Sequence, residues 1–232
     1  MDPLDRASVF PASAAAAERV TSFLRAVYGW MFVGLGITAF VAYAIASSPA
    51  LIGALVSNHF LFLGLFLAQL GVVFFLSARV DRLAPGTATG LFVLYSGLTG
   101  VTLSVILLAY TGASIATTFV VTAGMFGALA LYGTTTSRSL AGMGQFVFMG
   151  LIGLVLASVV GMFWRNAALE FLISVVGVIV FTGLTAWDVQ RIKNGQIAGV
   201  NRDSATVLGA LALYLDFINL FLFLLRIFGS SR

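Results

Sequence analysis

The chain has 232 residues with a net charge of +4; 60% of them are hydrophobic, only 9% are charged, and none is cysteine. Because a soluble domain carries roughly 25% charged residues, this composition excludes a water-covered globular protein and predicts a polytopic membrane protein. Disulfides and thiolate chemistry are excluded, and nucleic-acid binding is not expected, because the basic residues fall in short loops without interleaved aromatic residues.

Seven apolar runs are long enough to cross a bilayer, which takes about 20 residues. They cover residues 26–46, 59–78, 88–109, 114–133, 143–163, 169–190 and 205–228. Turn-forming or charged residues separate the runs, and the shortest separator is TGAS at 111–114. We therefore predict an all-α fold with an N-terminal segment (1–25), one seven-helix transmembrane domain (26–229) and no second domain.

The N-terminal segment is rich in alanine and lacks the layout of a cleavable signal peptide, since Arg19 and Arg25 precede a run too long for a signal sequence. With this segment in the cytoplasm, nine basic residues fall on the inner side and three on the outer side, as the positive-inside rule requires. The inner set is Arg6, Arg19, Arg25, Arg79, Arg82, Arg138, Arg191, Lys193 and Arg202, and the outer set is Arg165, Arg226 and Arg232. The predicted topology is N-terminus inside and C-terminus outside; a re-entrant last segment is the alternative.

Small and polar residues lie inside several spans. Small residues that let helices approach closely are SGLTG at 96–100, Gly124, Gly127, Gly150 and Gly153. Ser96, Thr99 and Thr102 share one face of the third span, where they either line an ion path or bond carbonyl groups of their own helix. Gln69 in the second span is interpreted as an interhelical hydrogen-bonding residue.

Two carboxylates lie within spans, Asp188 at the end of the sixth and Asp216 inside the seventh. A carboxylate in hydrocarbon costs about 2.5–3.5 kcal/mol on insertion scales and is a functional-site candidate. Thr185 lies one turn before Asp188 and Asn219 one turn after Asp216, and oxygen-rich groups of this kind suit protons or hard cations such as calcium. The alternative is that each aspartate is a packing group bonded to a hydroxyl or an arginine.

Several segments resemble the Bax-inhibitor-motif membrane family, in a bacterial form. ALALYLDFINLFLFLLRIFG (210–229) resembles its last segment and FTGLTAWDVQRIK (181–193) its sixth, and residues 25–46, 94–119 and 132–144 also fit. The similarity covers nearly the whole chain after about residue 22. It implies a seven-helix bundle in which the last helix is central and six others surround it.

The resemblance also implies a function, a pH-sensitive calcium leak channel. In relatives, an aspartate of the sixth segment and one of the seventh form a proton-sharing pair that gates the channel, and the matching residues here are Asp188 and Asp216. An arginine at the inner end of the second segment latches the sixth-segment aspartate; Arg79 matches it, and Arg82 is the weaker choice. The implied permeant ion is calcium, held transiently by the two aspartates, and no cofactor is implied.

This chain departs from the family pattern at one position, and helix geometry does not by itself give the expected contact between the two aspartates. Some relatives carry a glutamate in the second segment, where this chain has Ala68 and Gln69. At about 1.5 Å per residue, Asp216 lies roughly 10–15 Å inside its span whereas Asp188 lies near the end of its own. Direct contact between the two aspartates is therefore left open.

Two other functions are considered. The first is a regulatory protein that binds a membrane-anchored ATP-dependent protease through its N-terminal residues. The second is an intramembrane aspartyl protease, which is disfavoured because AWDV and LYLDFI match neither of the YD and GxGD motifs. With no phosphate loop, metal-ligand cluster or Ser/His/Asp set in the sequence, we do not expect an enzyme.

Overall fold

The computed structural model describes residues 3–79, 82–164, 166–197 and 202–230, with side chains from Ala17 onwards except those of Met162 and Arg202. The fold is all-α, as predicted. Its helices are α1 (Pro3–Ala46), α2 (Pro49–Ser57), α3 (His59–Arg79), α4 (Pro85–Ala109), α5 (Gly112–Thr135), α6 (Ala141–Phe163), α7 (Ala167–Lys193) and α8 (Arg202–Phe228).

Seven of these helices are long and apolar enough to cross a membrane, namely α1 from Ala17 onwards, α3, α4, α5, α6, α7 and α8. They coincide with the seven predicted runs, so the prediction of a seven-span integral membrane protein is confirmed. α1 differs most from its prediction, because it is one continuous helix from Pro3 and includes most of the segment that we expected to be separate. The short α2 was not predicted; it begins with Pro49, whose fixed φ suits the first turn of a helix.

α8 is the innermost helix of the bundle. Of its most apolar stretch, 67% of the residues are buried, against 6–33% in the other spans. It packs against α7, α1, α5 and α4, whereas α3 packs mainly on α4, and α6 mainly on α7. The last helix therefore packs mainly against four other helices.

The two ends of α8 contact opposite faces of the bundle. Near its start, Ser204 Oγ donates to the Leu83 carbonyl in the α3–α4 connection at 3.3 Å. Beyond its end, the Ser230 carbonyl accepts from Thr111 N at 3.1 Å, and Ser230 N donates to Ser114 Oγ at 3.0 Å. α8 thus runs uninterrupted across the bundle, and the alternative of a re-entrant last segment does not fit the structure.

We call the face that holds the α3–α4, α5–α6 and α7–α8 connections the basic face. Among the described side chains, its cationic residues are Arg19, Arg25, Arg79, Arg82, Arg138, Arg191 and Lys193, whereas Arg226 lies toward the opposite face. The remaining residues of the predicted charge distribution, Arg6, Arg165, Arg202 and Arg232, lie outside the described side chains.

Close helix approach occurs at only some of the predicted small residues. A Cβ on Gly100 would come within 2.7 Å of the Thr38 carbonyl, so α4 and α1 pack closely there. The prediction is wrong for Gly124, Gly127 and Gly153, which have nothing within 4 Å of a Cβ position, because they lie on outward faces of α5 and α6. A close approach of α5 to α7 instead lies at Gly133, next to the Ala186 carbonyl.

Candidate functional site

Asp188 lies in the second-to-last turn of α7, where its charge is matched within the same helix. Its Oδ1 accepts from Arg191 Nη1 at 3.1 Å, an ion pair three residues apart. The side chain of Asp188 is 15% exposed and that of Arg191 35%. The Arg191 guanidinium also lies 4.4 Å above the ring of Trp187, and Trp187 in turn packs against Gly144 of α6, where a Cβ would collide with the ring. α6 therefore supports Trp187, and Trp187 in turn contacts the Arg191 guanidinium that pairs with Asp188.

Asp216 lies in the middle of α8 and is buried, with 4% of its surface exposed. Its Oδ2 has no hydrogen-bond partner in the part of the chain that the structure describes. Among the described residues, Asp188 on the neighbouring helix α7 lies close enough for its charge to act on Asp216. A buried polar atom without a partner costs about 1–3 kcal/mol. Asp188 thus fits the alternative of a paired packing group, but Asp216 does not.

The depth difference between the aspartates is smaller than the sequence indicated, because the two helices are staggered. α7 continues through Lys193, beyond its predicted end at residue 190, and Ile197, which follows α7, lies beside Gly209 of α8. The first turns of α8 therefore extend past the end of α7. Asp216 lies seven residues beyond Gly209, about 10 Å, and Asp188 lies five residues before Lys193, about 8 Å. The stagger therefore reduces the difference in depth between the two aspartates.

The polar groups predicted near an ion path donate within their own helices. Each bonds the carbonyl four residues earlier: Thr185 Oγ1 to Phe181 at 2.7 Å, Asn219 Nδ2 to Leu215 at 2.8 Å, Ser96 Oγ to Phe92 at 2.9 Å and Thr99 Oγ1 to Tyr95 at 2.9 Å. These are the local bonds that hydroxyl and amide groups commonly make in membrane helices. The three hydroxyl hydrogens are thus in use in this arrangement, whereas the Asn219 amide uses one of its two N–H donors, and an ion-path role for these groups stays a prediction. Gln69 does bond across helices, donating to Thr102 Oγ1 at 2.5 Å, as we interpreted.

The contact predicted between Arg79 and Asp188 is not made in this structure. Arg79 is exposed at the end of α3 and Arg82 is exposed just after it, and α3 packs mainly on α4 rather than on α7. Arg191 lies one turn from Asp188 on the same helix and forms the ion pair instead. Its spacing of three residues from Asp188 was a signal that the sequence offered and that we did not use. A latch role for Arg79 or Arg82 stays a prediction.

A buried hydroxyl cluster lies on another side of α8, and the sequence reasoning missed it. Tyr214 Oη lies 2.6 Å from Thr38 Oγ1, and Thr38 donates to the Ser96 carbonyl at 2.9 Å. Since a hydroxyl has one hydrogen, Thr38 accepts from Tyr214. The Tyr214 ring meets Phe92 and Tyr95 edge to face. These contacts connect α8 to α1 and α4, away from the carboxylates.

The site offers few ligands for a resident metal ion. Over the described residues, no three His, Cys, Asp or Glu side chains come together. Calcium takes six to eight oxygen ligands, so two carboxylates would need carbonyl groups and water to complete its shell. Transient calcium binding by Asp188 and Asp216 stays a prediction.

Comparison with known proteins gives consistent matches along almost the entire chain. The family model described as "Inhibitor of apoptosis-promoting Bax1" matches residues 20–232. The inner membrane protein YbhL of Escherichia coli K12 is 54% identical over 216 residues, 91% of this chain and 92% of its own length. Uncharacterized proteins of Borreliella burgdorferi and Rickettsia prowazekii are 46% and 40% identical, over 90% and 93% of this chain and 92% of each relative. The chain therefore belongs to the Bax inhibitor family of membrane proteins.

Proposed function

We propose that the protein is a pH-sensitive cation leak channel that conducts calcium and is gated by Asp188 and Asp216. The observation that carries the proposal is the environment of Asp216, whose carboxyl group is buried, has an oxygen without a partner and lies within electrostatic reach of Asp188. Membrane-embedded carboxylates that lack a permanent partner are typical of proton and ion pathways.

The mechanism follows from the charges. Arg191 can balance one negative charge, that of Asp188. A second negative charge on Asp216 would be buried beside the first, and two carboxylates in such proximity cannot both ionise cheaply. The pair therefore holds one proton while α7 and α8 stay in this arrangement. Loss of that proton favours either separation of the helices or entry of a cation, and proton uptake restores the closed state.

The proposed location is the bacterial inner membrane, since the relative YbhL is named an inner membrane protein. We place the basic face in the cytoplasm by the positive-inside rule, with the N-terminus inside and the C-terminus outside. Asp188 then lies near the cytoplasmic side, where it can respond to cytoplasmic pH.

The test is calcium flux into liposomes that contain the purified protein, measured with a trapped dye across pH 5–8. Asp216→Asn removes the titrating carboxyl group at nearly constant volume and should abolish the pH dependence. Glu170→Gln is the matched control, because Glu170 is an exposed carboxylate on α7 near the opposite face, and it should leave the pH profile unchanged. An unaltered pH profile in Asp216→Asn would refute the gate.

The ion pair at Asp188 has its own test. Arg191→Gln removes the charge that holds Asp188 in the arrangement described here, so calcium flux at pH 7 should increase. The same change at Arg82, which is exposed and outside this ion pair, should have a smaller effect. If Arg82→Gln increases flux and Arg191→Gln does not, the weaker latch choice, Arg82, is correct and the role proposed for Arg191 is not; Arg79→Gln tests the first choice, Arg79, in the same assay.

A second candidate function is regulation of a membrane-anchored ATP-dependent protease. The observation that favours it is the length of α1, which begins at Pro3 although its apolar run begins only at residue 26. About 35 Å of helix therefore precedes the apolar run and offers a surface for a partner. Co-purification of the protease that is lost on deletion of residues 1–16, with calcium flux retained, would support this function. If the protein without residues 1–16 still co-purifies with the protease, this part of α1 is not the binding surface.

A further inference from the structure

A cavity of about 300 Å³ lies at the basic face, between the α5–α6 connection and the end of α7. None of its ten lining residues is acidic. The polar and aromatic members that matter here are Thr136, Ser137, Arg138, Ser139, Trp187 and Lys193. The cavity is separate from the carboxylate pair, although Trp187 borders both.

Hydrogen bonds hold the walls of this cavity in place. Gln190 of α7 is 8% exposed; its Oε1 accepts from Leu140 N at 2.8 Å, and its Nε2 donates to the Arg138 carbonyl at 2.9 Å. Lys193 Nζ donates to the Thr134 carbonyl at 2.6 Å. The oxygen and the nitrogen of the Gln190 amide, together with the Lys193 ammonium group, thus hold the α5–α6 connection against α7. The cavity is a built feature rather than a gap beside a loose loop.

The donors that remain point to an anionic ligand. The Lys193 ammonium has three hydrogens and uses one for Thr134, and Arg138 is exposed at the rim. Three hydroxyl side chains line the same cavity as these cations. α6 begins at Ala141, which also lines the cavity, so the positive end of that helix adds to the same field. The nearest acid along the chain, Asp188, is paired with Arg191.

We propose that this cavity binds a phosphate group. Guanidinium, ammonium and hydroxyl donors around a volume of this size match the three or four oxygens of a phosphate. The position of Trp187 beside the cavity also fits a site at headgroup level, where tryptophan concentrates at membrane interfaces. The phosphate belongs either to an anionic lipid headgroup or to free inorganic phosphate. The site does not depend on the channel function.

The test is isothermal titration of the purified full-length protein in neutral detergent. One arm titrates inorganic phosphate against chloride at equal ionic strength, and the other compares mixed micelles that contain phosphatidylglycerol with micelles that contain phosphatidylcholine. We expect saturable binding in at least one arm. Arg138→Gln should weaken it about tenfold, since a hydrogen bond to a charged group is typically worth that much. Arg25→Gln, an exposed arginine of the same face outside the cavity, should leave the affinity unchanged.

The outcomes separate the sources and the alternatives. Binding of phosphate without preference for phosphatidylglycerol identifies free phosphate, and the reverse identifies the lipid. The absence of binding in both arms, or equal weakening by Arg138→Gln and Arg25→Gln, would overturn the proposal, because the latter indicates general attraction to a basic surface. Ser137→Ala removes a lining hydroxyl without touching the bonds of Gln190 and Lys193; it should weaken binding while the thermal midpoint of the free protein stays constant.

Discussion

The contact of α5 with α7 at Gly133 gives a prediction whose magnitude can be worked out. A Cβ at Gly133 would lie 2.5 Å from the Ala186 carbonyl oxygen and 3.1 Å from Val189 Cβ, where ordinary contact begins at 3.4 Å. Because the Ala186 carbonyl belongs to the backbone of α7, no side-chain rotation can relieve the overlap. Gly133→Ala must therefore move the two helices apart by several tenths of an ångström, and overpacking of this kind costs about 1–3 kcal/mol.

Gly127→Ala on the same helix is the matched control, since nothing lies within 4 Å of its Cβ position. Both substitutions gain the same helix propensity, about 1 kcal/mol, so this gain cancels in the comparison. We expect a thermal midpoint in detergent about 4–8 °C lower for Gly133→Ala than for Gly127→Ala, for a difference of about 2 kcal/mol in a domain of this size. Equal midpoints would refute the close approach of α5 to α7 beside Asp188.

Two further predictions concern buried hydrogen bonds. Tyr214→Phe removes the phenol that donates to Thr38 and should lower the free energy of unfolding by about 1 kcal/mol, as measured by thermal or denaturant unfolding; Tyr43→Phe, where the tyrosine is 71% exposed, should have no effect. Gln69→Leu removes the bond to Thr102 and should destabilise the protein by about 0.6 kcal/mol, the average for hydrogen bonds between membrane helices; a gain in stability instead would show that burial of the Gln69 amide outweighs its bond.

The two aspartates show what can be predicted from a residue and its neighbours along the chain. Their presence in apolar helices identified both as candidates, because the cost of a charge in hydrocarbon depends only on the residue and its neighbours along the chain. The estimated difference in depth between Asp188 and Asp216 assumed that the end of α7 and the start of α8 lie at the same level in the membrane. The stagger of α7 and α8 overturns that assumption, and it depends on the contacts of Ile197 with Gly209 and of Ser204 with Leu83.

The choice of partner for Asp188 shows a different limit. The resemblance to the family pointed to Arg79, which is distant in sequence, whereas the structure pairs Asp188 with Arg191 at helical spacing. The pattern of charges contains both arginines, and it does not say which one lies within reach. Packing of α3 on α4 keeps Arg79 at the surface and leaves the nearer arginine to form the pair.

The sequence by itself determined the class of protein, the seven spans and the two carboxylates that lie within them. These depend on the apolar length of each helix and on the rarity of charge within it, which are properties of single segments. Only the tertiary structure decided which glycines lie at helix contacts, which arginine meets Asp188 and how the α5–α6 connection and α7 enclose a cavity. In a membrane, the hydrophobic effect does not favour one helix neighbour over another, because lipid tails are as apolar as the helix surfaces. Their arrangement is set by shape and by a few polar contacts between segments that are distant in sequence.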